Sequence, residues 1–285
     1  MDRGDGKGER DVVYVGRYYC SNTSDTNHKS VTNAKPWNTY IKNMIDTVNG
    51  LNDTIWTLDF ATLVTIQMLY LVEFATWDSQ TVIGRGSNIA QANMQNTGTT
   101  DSMQYHTGTM QTSRDIIGNG IQYRYIEDLW SNALTPIVGC YANTIVNDKN
   151  VVIGYELKVA TNPTHFTPLI NSEGHSYFSG GTTIATENDT SVAYSESLAK
   201  SIKISSIESL NWAYFVNSSV TIDNNYHKYL CDTQYMDFTS ANHRDTLELG
   251  KGGSGDDALG YGLFNLGLDD INGSGVESIR LMILP

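Results

Sequence analysis

Apolar residues recur at helical spacing in two places early in this 285-residue chain, and at strand spacing in many short stretches after them. Tyr40, Ile41, Met44, Ile45 and Val48 share one helical face, with Pro36 placed for the first turn and Gly50 as a stop signal. A second helix is predicted from Asp59, its cap, to Ala75. Leu63, Ile66, Met68, Leu69, Leu71 and Val72 cover most of its circumference, which predicts a helix buried at the domain centre. It is too short for a membrane span and carries Gln67 and Glu73. Val12–Cys20 and Ile121–Trp130 read as strands, the latter entering the core. Shorter strands are expected around Ile137–Tyr141, Val151–Val159, Ile202–Ile204 and Ala213–Val216.

Between these elements, residues 83–120 are rich in Gly, Thr, Asn and Ser and predict a long ordered loop. It contains two similar tripeptides, Thr97-Gly98-Thr99 and Thr107-Gly108-Thr109. Loops of that length are functional or braced by their own contacts. From Tyr229 onward, aromatic and aliphatic residues alternate with Gly/Ser/Asp/Asn insertions such as Gly252-Gly253-Ser254-Gly255-Asp256-Asp257. That pattern points to a display surface on a fixed core rather than to a catalytic pocket. With no linker or charge run between halves, residues 11–285 read as one α+β domain with two early helices, small antiparallel sheets and long loops. Residues 1–10 read as a charged, disordered tail.

Charge narrows the partners. The net charge is -13, and no Lys/Arg cluster of the kind phosphate binding needs is present, so no nucleic-acid partner is expected. The first ten residues hold no apolar stretch, so neither a signal peptide, an anchor nor membrane insertion is expected. Cys20, Cys140 and Cys231 are too few and too far apart for a disulfide framework, and no C-x-x-C occurs. Cys20 reads as a buried thiol near a strand, and this usage fits intracellular synthesis.

Candidate chemistry thins out on inspection. The six histidines (His28, His106, His165, His175, His227, His243) have no metal spacing and read as surface or hydrogen-bonded residues. Gly250-Lys251-Gly252 lacks the remainder of a phosphate loop, and Ser254 and Ser274 miss the frame of a nucleophile elbow. Asp270, Asn272, Ser274 and Gly275 match the first half of a calcium loop, but its twelfth position is Leu281, not Glu. Arg3-Gly4-Asp5, in the tail, reads as a chance match to an adhesion tripeptide. Glu127 and Asp128, adjacent on a predicted strand, would face opposite ways and so serve hydrogen bonds or ion pairs rather than acid/base work. No catalytic residue, cofactor or metal is predicted.

Three stretches carry a resemblance. Trp56-Thr57-Leu58-Asp59-Phe60-Ala61-Thr62 leads into Gln67–Ala75; Gly120–Asn132 includes Tyr123-Arg124-Tyr125-Ile126-Glu127-Asp128-Leu129-Trp130; and Gly262-Leu263-Phe264 is followed by Arg280-Leu281-Met282. Together they resemble phage and prophage proteins with a C-type lectin-like fold of the formylglycine-generating-enzyme type. Many of these are variable proteins of diversity-generating retroelements. The chain departs from that pattern at Ala133-Leu134-Thr135-Pro136, where a Trp would follow, and at Ser278-Ile279 in place of Gly-Ser.

The resemblance implies a C-terminal part, residues 230–285, whose exposed positions are rewritten to form a ligand-binding face. The matching positions are Gln234, Asp237, His243, Arg244, Lys251, Ser254, Asp256, Asp257, Leu259, Tyr261, Asn265, Asp269 and Asp270. Diversification of Asn codons would account for the Gly/Ser/Asp/Asn insertions and is favoured over ordinary loop composition, which they also match. Relatives that are enzymes need a C-terminal cysteine pair, and only Cys231 stands in that region, so no enzymatic activity is expected. Neither E-P-N nor Q-P-D occurs, which removes calcium-dependent sugar binding by that route.

The implied protein is a receptor-binding, tropism-determining component of a phage tail or tail fibre. It would sit in the virion, or on the host-cell surface if prophage-encoded. Its partners would be a bacterial surface protein or glycan, other phage tail proteins, and further copies of itself in a homo-oligomer that supplies avidity. The alternative is a structural phage tail protein without a receptor role. If core and display surface are separate, Asp256→Ala or Asp269→Ala should leave thermal melting nearly unchanged. Leu69→Ala, in the predicted buried helix, should then cost on the order of 2–5 kcal/mol in denaturant unfolding.

Overall fold

The computed structural model describes residues 10–22, 28–51, 54–87, 94–110, 120–149, 152–160, 178–186, 191–193, 199–202, 213–216, 233–235, 246–249, 262–264, 266–269 and 278–285. The elements begin with strands β1 (Tyr14–Val15), β2 (Cys20–Asn22) and β3 (His28–Ser30), then helix α1 (Ile41–Asn49) and β4 (Ile55–Thr57). Helices α2 (Phe60–Phe74) and α3 (Ser79–Val82) follow, then β5 (Gly108–Thr109), β6 (Ile121–Tyr123), β7 (Ile126–Glu127) and β8 (Thr135–Ile137). Next come β9 (Cys140–Val146), β10 (Val152–Ala160), β11 (Phe178–Thr186), β12 (Ser191–Ala193), β13 (Ala199–Ile202) and β14 (Ala213–Val216). The chain finishes with β15 (Thr233–Tyr235), β16 (Thr246–Leu249), β17 (Leu266–Asp269) and β18 (Leu281–Ile283). The expected α+β class, with early helices and small antiparallel sheets, is what the described residues form: each sheet has two or three strands.

The first and last strands lie side by side. β18 is the middle strand of the order β1-β18-β4, with Val15 opposite Met282 and Met282 opposite Trp56. Met282 is buried, and the Thr62 hydroxyl donates to its sulfur at 3.0 Å, so α2 packs on this sheet. α1 presents Ile41, Met44, Ile45 and Val48, all buried, to Cys20, Val138 and Ile279. Its periodicity is thus the predicted one. Pro36, however, lies ahead of the helix, because the extended backbone at Tyr40 (ψ 134°) delays the first turn to Ile41. The segment after Pro36 is instead drawn to β2 through the Trp37 N–H, which donates to the Cys20 carbonyl at 2.7 Å.

α2 begins as predicted. The Asp59 carboxylate, fully buried, accepts from the Thr62 N–H at 2.7 Å and so satisfies one of the helix's orphan donors. It ends with Ala75 in the left-handed region at φ 53°. The main core gathers around its first half: Phe60, Leu63, Val64, Ile66 and Tyr70 pack with Ile121, Tyr123, Leu129, Trp130, Leu263 and Phe264. Gln67 is buried too, donating to the Leu263 carbonyl at 3.0 Å. The expectation of burial on all sides is overturned: Leu69 is 41% exposed and Val72 82% exposed. Apolar coverage of a helix sets how many faces are able to be buried, whereas the neighbouring elements set which of them are.

Three predicted strands are broken, Ile137–Tyr141 among them, where Val138-Gly139 divides β8 from β9. In Val12–Cys20 the chain turns after β1, where Ser30 Oγ accepts from the Tyr18 N–H at 2.9 Å, and resumes as β2 paired with β3. Ile121–Trp130 is a tight hairpin. β6 and β7 pair across Arg124 and Tyr125, both at positive φ (50° and 66°), which reverses the chain in two residues. The turn is held from outside: the Tyr125 N–H donates to the His106 carbonyl at 2.8 Å and the Arg124 N–H to Thr107 Oγ1 at 3.1 Å. β14 lies where predicted, and β13 includes Ile202, while residues 203–204 of that predicted strand lie outside the described residues.

Within residues 94–110 the loop is braced by its own turns: the Asp101 N–H donates to the Gly98 carbonyl at 3.1 Å and the Met103 N–H to the Thr100 carbonyl at 3.0 Å. It is also braced by the segment after β3, where Thr97 Oγ1 donates to the Val31 carbonyl at 2.6 Å and the Asn33 N–H to the Thr97 carbonyl. Arg10, read as the end of the tail, donates to the Pro285 carbonyl at 3.4 Å. Residues 1–9, including Arg3-Gly4-Asp5, and the Gly250-Lys251-Gly252, Ser254 and 270–275 motifs lie outside the described residues. No described helix is long and apolar enough to cross a membrane.

These burials revise the stability expectation for α2. Leu63→Ala, at a fully buried position, should cost on the order of 2–5 kcal/mol in urea unfolding. Leu69→Ala should cost about 1 kcal/mol or less, because the side chain already meets solvent.

Candidate functional site

The resemblance drew attention to Glu127-Asp128 and Arg280, and these residues share one buried polar junction. The hairpin places Glu127 so that its carboxylate accepts from the Gly98 N–H (2.7 Å), the Thr100 N–H (2.8 Å) and the Thr100 hydroxyl (2.6 Å). Asp128 follows at φ 50°, a conformation Asp and Asn tolerate better than most residues, and turns away from Glu127. Its Oδ1 accepts from the Ile121 N–H (3.1 Å) and the Ser131 hydroxyl (2.8 Å). Its Oδ2 is buried with no hydrogen-bond partner among the described residues. Burial, and next the Glu127 charge, push the Asp128 carboxyl up to about 7. Both acids therefore hold backbone in place, as their adjacency predicted.

Arg280 enters the junction from β18's leading edge, wholly buried. Nη1 donates to the carbonyls of Gly16 (2.9 Å) and Arg17 (2.8 Å), and Nη2 to that of Glu127 (2.6 Å). Its guanidinium lies 4.6 Å from the centre of the Tyr19 ring. The Tyr19 hydroxyl stands 2.9, 2.9 and 3.0 Å from the carbonyls of Asp128, Ser131 and Ala133, and accepts from Thr135 Oγ1 at 3.2 Å. Burial pushes that phenol up to about 12, so it stays a neutral donor closing the 128–133 turn.

A second cluster lies on the surface above the junction. Arg17 Nη2 is 3.2 Å from Asp101 Oδ1, and Asp101 also accepts hydrogen bonds from Thr32 and Tyr18. Partial burial acts to raise the Asp101 carboxyl, but these two hydrogen bonds and the Arg17 charge hold it below its usual range. The Arg17 guanidinium is 5.1 Å from the Tyr18 ring centre and 5.9 Å from that of Tyr125, whose other neighbour is the His106 ring at 5.8 Å. Arg124 pairs with Glu73 at 3.1 Å. Tyr105 (76% exposed) and Tyr125 (55% exposed) stand out into solvent.

Elsewhere, a cavity of about 490 Å³ separates β1 and β18 from β3, with Val15, Val31, Ile55 and Leu281 among its walls. Cys20 is buried and its thiol pushed up to about 12 by desolvation, as expected of a structural cysteine. Among the described residues no group of three or more His, Cys, Asp or Glu is arranged to hold a metal ion.

Of the thirteen residues predicted to bind ligand, two fall on described strands. Gln234 sits in β15, opposite Val192, and Asp269 ends β17, opposite Thr246. β15 and β17 are neighbours, so these two residues lie on adjacent strands. β17 is carried by β16, and β16 by β8, where Leu249 pairs with Thr135 of the buried junction. Asp237, His243, Arg244, Lys251, Ser254, Asp256, Asp257, Leu259, Tyr261, Asn265 and Asp270 lie outside the described residues. The Arg17–Tyr125–His106 cluster was missed in the sequence. Its one local signal is the Tyr123-Arg124-Tyr125 run, and its other members are distant in the chain. No protein-family model matches the chain, and no curated protein matches it in sequence.

The raised Asp128 carboxyl gives a pH signature. An unfolded Asp titrates near 4, so between about pH 4 and 7 the native chain binds more protons than the unfolded one. This group's contribution to stability therefore falls as pH rises through that window and levels off above it. Asp128→Asn keeps the acceptor oxygen and tolerates the positive φ without a charge. Compared by urea unfolding, the wild type should lose on the order of 2–4 kcal/mol against the variant between pH 4 and 8. Parallel pH profiles would show that Asp128 does not titrate there.

Proposed function

We propose that this chain is a receptor-binding protein of a phage tail or tail fibre, a binding protein rather than an enzyme. On this reading it has the C-type lectin-like fold of retroelement-diversified variable proteins. Its exposed C-terminal residues recognise a bacterial surface molecule, and repeated copies on the particle supply avidity. One observation carries the reading: the β16–β17 ribbon, with Asp269 at its end, is joined to the body through β8. The body there is locked by buried hydrogen bonds around Tyr19 and Thr135. A ribbon anchored at its base on a polar-locked core leaves that core's contacts intact when residues beyond the base change, which a diversified face requires. The pairing of the first and last strands with β4, beside α1 and α2, supports the lectin-like architecture.

The test is binding of purified protein to a panel of bacterial strains, beside a variant with Asp256, Asp257, Tyr261, Asp269 and Asp270 all changed to Ala. Strain-selective binding by the wild type should vanish in the variant, with melting shifted by no more than about 2–4 °C. Binding that survives in the variant, or no binding to any strain, would assign the chain to the structural tail proteins instead.

A further inference from the structure

The sheet β1-β18-β4 has two faces, and one of them is only partly filled. Met282 points to the face that α2 covers, so by alternation Leu281 and Ile283 point to the other. Register places Tyr14 and Ile55 beside Ile283 on that second face, and the Gly16 N–H donates across to the Leu281 carbonyl at 2.8 Å. The core of α1 covers part of it through Ile55 and Leu281. The rest is open: Tyr14 and Ile283 are 56% and 42% exposed, and the cavity of about 490 Å³ lies against them. Such a volume is in the range of small-molecule sites.

The opposite wall is β3 with Val31 after it. A Cβ on Gly16 would lie 2.9 Å from Ser30 Oγ, so the missing side chain lets β3 approach the sheet at that end. Ser30 Oγ then accepts from the Tyr18 N–H at 2.9 Å and donates to the Tyr18 carbonyl at 3.0 Å, which ties the wall to the floor. The main chain around the cavity is largely spoken for. The Gly16 and Arg17 carbonyls accept from Arg280, and the Lys29 carbonyl accepts from Ser21 Oγ at 3.1 Å. An extended peptide, which binds through free main-chain groups of a strand edge, finds few of them here.

Recognition is left to shape and charge. The lining residues able to carry charge are Arg17, His28 and Lys29, and no Asp or Glu is among them, on a chain whose net charge is -13. Arg17 is held by Asp101, whereas Lys29 is exposed and has no ion pair among the described residues. An apolar concavity with a free cation at its rim complements an apolar chain that ends in an anion. We propose that this cavity binds a free linear fatty acid, with its acyl chain against Tyr14, Ile55, Leu281 and Ile283 and its carboxylate at Lys29. Such a site would hold whether or not the C-terminal ribbon binds a receptor.

The test is displacement of dansyl-undecanoate from the full chain by decanoate, dodecanoate and dodecanol, with Lys29→Gln and Val31→Trp beside the wild type. Dodecanoate should bind on the order of tenfold more tightly than decanoate, because each further buried methylene adds to the affinity. Dodecanol should bind about fivefold more weakly than dodecanoate, the scale of an exposed ion pair, and Lys29→Gln should remove that difference. Val31→Trp, which fills the cavity from its wall, should abolish binding of all three. Both residues are exposed, so both variants should melt like the wild type. Should Val31→Trp fail to fold, the comparison of acid with alcohol in Lys29→Gln decides alone. The proposal is overturned if the probe does not bind, if acid and alcohol compete equally, if Lys29→Gln leaves their ratio unchanged, or if folded Val31→Trp still binds. It is also overturned if the face instead holds the chain on phosphatidylcholine vesicles, or if Val31→Trp turns a dimer into a monomer, which would identify a membrane or a second copy as the occupant. Both substitutions lie outside residues 230–285, so failure here is separable from failure of the receptor-binding reading.

Discussion

The burial of Arg280 is the constraint on which the described body depends. A guanidinium taken out of water loses several kcal/mol of hydration, which must be replaced by hydrogen bonds of good geometry. Here the replacement comes from three backbone carbonyls and the face of Tyr19, and among the described residues no carboxylate touches the cation directly. Those carbonyls belong to the segment after β1 and to the end of the β6–β7 hairpin. One side chain on the final strand thereby fixes the relative position of segments from both ends and the middle of the chain. The nearby carboxylates contribute through space: Asp128 and Glu127 raise the Arg280 guanidinium against the larger effect of burial, which lowers it.

Much of the fold was legible where one short segment carried both its own pattern and its own stop signals. Asp59 announces α2, and the buried face of α1 was readable from Ile41, Met44, Ile45 and Val48. Legibility failed where distant groups decide a local conformation. Arg124-Tyr125 has none of the Asn or Gly that marks a two-residue turn, and it turns because His106 and Thr107 hold it. Leu69 and Val72 look like core residues in sequence, but the core gathers on the other face of α2 and leaves them exposed.

The candidate sites divide in the same way. The adjacency of Glu127 and Asp128 predicted carboxylates on opposite faces of a continuous strand, whereas a sharp turn at Asp128 separates them. Gln234 and Asp269 belong to neighbouring strands, a proximity that sequence spacing could not supply. The Arg17–Asp101 pair and the Tyr125–His106 contact arise from loops brought together by the Glu127 carboxylate, which grips Gly98 and Thr100. A glycine in a Thr-Gly-Thr tripeptide was visible, but its acceptor was not.

The position of β18 between β1 and β4 has a consequence for synthesis. A chain cut off anywhere before Arg280 lacks both the middle strand of that sheet and the cation that joins the segments. Such a fragment leaves β1 and β4 without their common partner and the carbonyls of Gly16, Arg17 and Glu127 without the Arg280 donors, and cellular proteases readily clear chains in that state. The sheet therefore closes only after β18 has been made, long after β1 and β4 leave the ribosome.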